Sequence, residues 1–98
     1  MIDLNHYFDT PKDLCLETAK KEVARRKALH ITQKELAGRT GVSFASVRRF
    51  ETTGRISFES LVKIAIVLDM KEDIRNLFQE RRIYRNIQDV IDEANQKC

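Results

Sequence analysis

Hydrophobic positions recur at three- and four-residue steps through most of this chain, and residues that cap or break helices punctuate them. Thr10-Pro11-Lys12-Asp13 opens the first periodic segment. Thr10 suits an N-cap, Pro11 sits where its missing N–H costs nothing, and Asp13 lies in the positive first turn. Leu16, Ala19, Val23 and Leu29, with Ala24 and Ala28 beside them, predict an apolar stripe running to about Leu29. Thr32 and Glu35 form a Thr-x-x-Glu capping box for a second helix, with Leu36 and Ala37 facing inward and Gly41 ending it. Ser43 caps a third helix, Phe44 to about Thr52, with Val47 and Phe50 on one face, and Gly54 breaks the chain again.

Ser57 starts a fourth helix on Leu61, Ile64, Ala65 and Leu68. Val62, Ile66 and Val67 widen that stripe so far that this helix is expected at the centre of the core. A fifth helix is expected from Glu72 to Arg82, presenting Ile74, Leu77 and Phe78, and Ile87, Val90, Ile91 and Ala94 predict a short amphipathic tail. Ahead of the first cap, Met1 to Asp9 reads as an extended arm in which Ile2, Leu4, Tyr7 and Phe8 can pack. The expectation is an all-α chain of five or six helices: an arm over 1–9, one helical domain over 10–82 and a tail over 83–98.

Composition narrows this further. Ninety-eight residues suit one modest core, and three glycines with one proline are too few for the turns of an all-β fold. Asp3, Asn5, His6 and Asp9 interrupt the first apolar stretch, which therefore reads as neither signal peptide nor membrane span; a cytoplasmic protein is expected. Cys15, Cys98, His6 and His30 lack the spacing of a zinc site, so no metal or cofactor is expected, and Cys15 reads as a partly buried helix thiol. No Ser/His/Asp, Cys/His or clustered-carboxylate arrangement points to an enzyme. Charge is more informative in its distribution than in its total of +3. From Lys20 to Arg55 ten Lys/Arg stand against three acids, a net of +7, whereas the remainder carries eight basic and twelve acidic groups, a net of −4. Such a block suits either one polyanion-facing surface or a solvated lysine-rich face.

The segment Thr32 to Glu51, TQKELAGRTGVSFASVRRFE, decides between them. Two short helices meeting at a steep angle need a small residue where they cross, here Ala37, and a glycine in the turn, here Gly41. Counted from Gln33 as the first of twenty positions, Ala37 is fifth, Gly41 ninth, Val47 fifteenth and Phe50 eighteenth. That spacing is the helix-turn-helix pattern.

With the Gly-containing loop and SFESLVKIAIVLDM that follow, the stretch from about Arg25 to Met70 resembles the phage-repressor/Cro-type (xenobiotic-response-element type) helix-turn-helix family. The resemblance implies a lambda-repressor-like domain that binds double-stranded DNA. It places Phe44, Ala45, Arg48 and Arg49 at base-facing positions, and Thr32, Gln33, Ser43, Ser46, Thr53 and Arg55 at phosphate-facing ones. Gln33 would also brace the recognition helix, and Arg26 with Glu51 would form a buried pair joining the first and third helices. Phe44 replaces the commoner polar residue at the first base-facing position; it also lies near Val47 on a helical wheel, so it either meets bases or packs.

One such module buries little surface, so a homodimer on a palindromic operator is expected, acting as a repressor. The arm and the segment Arg82 to Cys98 are the candidate dimer contacts, the acidic Gln88–Glu93 stretch suiting protein rather than DNA. A second reading is an antitoxin resembling those of HipA-type modules, binding a toxin protein as well as its own operator.

Overall fold

Four of the five helices between residues 9 and 80 begin on a hydroxyl. The structure, a computed structural model, describes residues 9–80, 91–92 and 94–95. Its helices are α1 (Pro11–Ala28), α2 (Gln33–Thr40), α3 (Phe44–Thr53), α4 (Phe58–Val67) and α5 (Lys71–Arg75). Thr10, Thr32, Ser43 and Ser57 each accept a hydrogen bond from the backbone N–H three residues on, at 3.1 to 3.2 Å. Asp13 and Glu35 close two of these caps into reciprocal boxes. A side-chain cap contributes about 1 kcal/mol to a helix. Helices as short as α2 and α3 would not persist alone, so packing must supply the rest.

Both interhelical glycines are left-handed, Gly41 at φ 77° as the turn of the motif requires and Gly54 at φ 78° where the sequence showed only a break. Their surroundings differ. A Cβ on Gly41 would meet nothing within 4 Å, whereas one on Gly54 would lie 2.7 Å from the Cys15 carbonyl carbon. Gly54 is thus where the α3–α4 loop presses on the backbone of α1. Cys15, expected to be a partly buried thiol, is exposed, although its backbone and Cβ face this contact.

Ala19, Ile31, Leu36, Val42, Val47, Phe50, Ile64 and Leu68 form the core, one or two from each of α1 to α4 and their connections. α1 packs on α3, α2 on both α3 and α4, and α5 on α4. A further tie comes from Arg25, whose Nε donates to the Leu68 carbonyl at 2.9 Å and so places a cation at the end of α4.

The buried face of α1 is not the apolar stripe expected. It is Ala19, Glu22 and Arg26, while Val23 is half-buried and Leu29 is exposed. Arg26 can lie inward here because it meets the opposite charge of Glu51 from α3, and Glu22 lies on the same face. α4 is less central than its composition suggested: Ile64, Ala65 and Leu68 are buried, but Ile66 is 54% exposed. The fifth helix stops at Arg75, well short of Arg82, leaving Leu77 and Phe78 exposed and Phe78 at φ 53°. It lacks a side-chain cap, and a single turn with no buried residue has nothing to extend it. Residues 91–92 and 94–95 of the expected tail are helical. The N-terminal arm up to Phe8 lies outside the described residues. The architecture is an all-α, five-helix domain of lambda-repressor-like type, and among the described residues no helix is long and apolar enough to cross a membrane.

Candidate nucleic-acid interface

α3 has two unlike faces because its sequence alternates at helical period. Val47 and Phe50 are 0% and 1% exposed against the core. Ala45, Ser46, Arg48, Arg49, Thr52 and Thr53 lie open on the other side. The Ser43 hydroxyl accepts from the Ser46 N–H and donates to the Ser46 hydroxyl at 2.7 Å, which fixes the first turn and leaves the Ser46 proton free to point outward.

Phe44 resolves into an intermediate case. It is half-buried, with the Arg48 guanidinium 5.6 Å from its ring centroid and the Lys34 ammonium at 5.8 Å. Cations over an aromatic face gain a modest electrostatic attraction. Phe44 therefore gathers positive charge from α2 and α3 at the mouth of the helix-turn-helix.

A second cluster surrounds the end of α3. Arg49 and Arg55 line one shallow groove with Ser46 and Ser57, and another with Lys12 and Cys15 from α1. Lys12 stands outside the basic block identified in the sequence; the close approach at Gly54 brings it here. Thr53 is more committed than its phosphate-facing assignment implies. Its hydroxyl donates to the Arg49 carbonyl at 2.7 Å and accepts from the Arg55 N–H at 3.1 Å, shaping the loop from within. The Thr32 hydroxyl likewise serves its cap, while Thr32 itself is exposed.

Behind this surface a polar clamp sets the angle of α3. Arg26 Nε and Nη2 donate to the two carboxylate oxygens of Glu51, each at 2.8 Å, and Nη1 donates to the Ile31 carbonyl at 2.9 Å. Gln33 Nε2 donates to Glu51 at 2.8 Å, so α2 is tied to the same carboxylate and one amide proton of Gln33 remains for another acceptor. A bidentate charged pair of this kind adds orientation as well as attraction. The hydrogen bond to Glu51 holds the Arg26 guanidinium above its ordinary pKa against the opposing effect of burial. Burial pushes the Glu51 carboxyl up, but hydrogen bonds to Arg26, Glu22 and Gln33 outweigh it and hold Glu51 below its usual range.

Two side chains take places that the apolar pattern of the sequence does not predict. Arg25, counted among the charges of the basic block, is turned to the Leu68 carbonyl. The exposed cations of the surface are Lys34, Arg48, Arg49 and Arg55, joined by Lys12. The other is Glu22, buried beside Glu51. Its position was legible: it lies three residues after Ala19 and four before Arg26, on one helical face, so an inward Arg26 carries Glu22 inward too.

Among the described residues no group of three or more His, Cys, Asp or Glu side chains could hold a metal ion. Comparisons with curated proteins and with solved structures returned no match. A family model described as helix-turn-helix matches residues 24–74, just over half of the chain, covering the clamp, both helices of the motif and their exposed cations. The chain belongs to that helix-turn-helix family and is a DNA-binding regulatory domain.

Proposed function

We propose that α3 enters the major groove of double-stranded DNA as the recognition helix of a dimeric repressor. The observation that carries this reading is the outward face of α3. Ala45, Arg48 and Arg49 are exposed there, while the opposite face is fully packed and its angle is fixed by the Arg26–Glu51–Gln33 clamp. Arg48 or Arg49 supplies a fork that matches guanine O6 and N7, and Ala45 or the ring edge of Phe44 suits a thymine methyl. Ser46, Arg55, Lys12 and the free amide proton of Gln33 flank that helix as donors to phosphate. Exposed Leu77 and Phe78 offer apolar surface to a protein partner, which is a second copy in the repressor reading and a toxin in the antitoxin reading.

Selection of bound duplexes from a random pool tests the proposal. A palindromic consensus is expected, with log affinity falling steeply against log salt as phosphate counterions are released. No enrichment and a flat salt dependence refute DNA recognition. Enrichment of single half-sites by a monomer refutes the dimer. A stable complex with the product of a neighbouring gene, occluding Leu77 and Phe78, would favour the antitoxin.

A further inference from the structure

The clamp behind α3 contains two buried carboxylates and one guanidinium. Glu51 accepts two hydrogen bonds from Arg26 and one from Gln33. Glu22 is 6% exposed, and neither of its carboxylate oxygens meets a donor. The charged groups facing it are Glu51 from α3 and Arg26 from its own helix, with the neutral Gln33 amide approaching Glu51 from α2. Arg26 spends three of its five N–H groups on Glu51 and the Ile31 carbonyl, and no N–H of Arg26 reaches a Glu22 oxygen. An ionised Glu22 would be a buried anion without a donor and next to a like charge, an unfavourable state on both counts. A protonated carboxyl supplies what is missing between the two acids, a donor.

We propose that Glu22 is carried in the folded protein as the neutral acid and serves as a positioning residue, its hydroxyl donating to Glu51 and thereby holding the recognition helix in register with α1 and Gln33. Glu51 then accepts from two residues of α1, Arg26 and Glu22, and from Gln33 of α2, and all its bonds pull α3 into one orientation. When Glu22 ionises, the two carboxylates repel and compete for Arg26, and the Gln33 bond to Glu51 loosens with them. The direction of its titration agrees: burial first, then the hydrogen bond and charge of Glu51, push the Glu22 carboxyl up to about 8, with Arg26 opposing. A carboxyl raised on folding binds its proton more tightly in the native state. Its stabilising contribution is therefore complete below the ordinary value of 4.5, declines as pH rises and is gone above about 8. Across that window the unfolding constant rises by up to about tenfold per pH unit for one proton. Only the last step, from helix position to affinity, rests on the DNA-binding reading.

The test follows carboxyl-labelled glutamates and the Gln33 side-chain amide by NMR through the weakly acidic to alkaline range, in the parent and in Glu22→Gln. Glutamine keeps a donor toward Glu51 and cannot titrate. The expected result is a glutamate carboxyl carbon titrating near pH 8 with the Gln33 amide moving at the same midpoint. Both responses vanish in Glu22→Gln, whose melting temperature stays nearly level where the parent's falls. Glutamates that all titrate in the ordinary carboxylate range, or a Gln33 amide that does not respond, overturn the proposal. Should Glu22→Gln fail to fold, the parent titration decides alone. On a duplex enriched from a random pool, the parent is expected to lose more affinity above pH 8 than its folded fraction accounts for, and Glu22→Gln is not. Equal losses in both proteins remove the positioning role. Absence of any DNA preference refutes the DNA-binding reading while leaving the carboxyl titration to stand or fall separately.

Discussion

Replacing each interhelical glycine by alanine separates backbone strain from steric contact in this fold. Gly41 and Gly54 share nearly the same left-handed conformation, φ 77° and 78°, and each ends a helix of the motif. Forcing an L-residue with a Cβ into that region costs about 1 to 2 kcal/mol. At Gly41 this is the whole effect, because the new methyl would meet nothing within 4 Å. At Gly54 the methyl would stand 2.7, 2.9 and 2.9 Å from Cys15 backbone and Cβ atoms. Carbon atoms rest at about 3.5 to 4.0 Å, so α1 and the loop must part by most of an ångström. Overpacking of that kind adds about 1 to 3 kcal/mol. Gly41→Ala is therefore expected to cost about 1 to 2 kcal/mol and Gly54→Ala about 2 to 5. For a domain of this size each kcal/mol lowers the melting temperature by roughly 4 to 8 °C. Thermal unfolding followed by far-ultraviolet circular dichroism reads both. Gly54→Ala melting at or above Gly41→Ala would show that α1 does not press on this loop. Because Arg55 follows Gly54 and Lys12 lies across from it, Gly54→Ala should also weaken DNA binding more than Gly41→Ala in conditions where both are folded.

Arg26→Ala should destabilise by about 3 to 5 kcal/mol, since it leaves the Glu51 carboxylate buried without its cation; denaturant melts measure it, and a parent-like midpoint would remove the clamp from the account. Gln33→Ala should cost about 1 kcal/mol in stability and weaken binding on all sequences alike, which melts and a panel of duplexes separate. Arg48→Ala and Arg49→Ala should leave the melt nearly unchanged, and whichever side chain reads guanine should lose about 1 to 3 kcal/mol at one base pair per half-site; unfolding of these variants would place the DNA-facing surface elsewhere. On the acid side, Glu51 is held below its ordinary pKa, so stability that is present above 4.5 should be lost as pH falls through the folded-state value, and Glu51→Gln should remove that acid limb in melts at successive pH values.

What local chemistry controls was legible in the residues themselves. Thr10, Thr32, Ser43 and Ser57 begin helices because a hydroxyl at that point satisfies a backbone N–H whichever surface the helix later packs on. Gly41 and Gly54 turn the chain because the left-handed region admits glycine without cost. The inward Val47 and Phe50, the outward Arg48 and Arg49, and the positions of the motif follow from helical period alone. Partnership between distant residues does not follow from period. Arg25, Arg26 and Lys27 look alike in sequence, yet Arg25 closes the end of α4, Arg26 grips Glu51, and Lys27 is left exposed. Glu22 reads as one acid in a basic block until α3 brings Glu51 against it; only then does its charge become unfavourable and its proton matter. α5 shows the reverse, an amphipathic pattern over Glu72 to Arg82 that forms a single turn, with no surface among the described residues to cover Leu77 and Phe78. Capping and backbone conformation are decided within four residues, whereas a charge or an apolar face acquires its energy from whatever the fold sets opposite it.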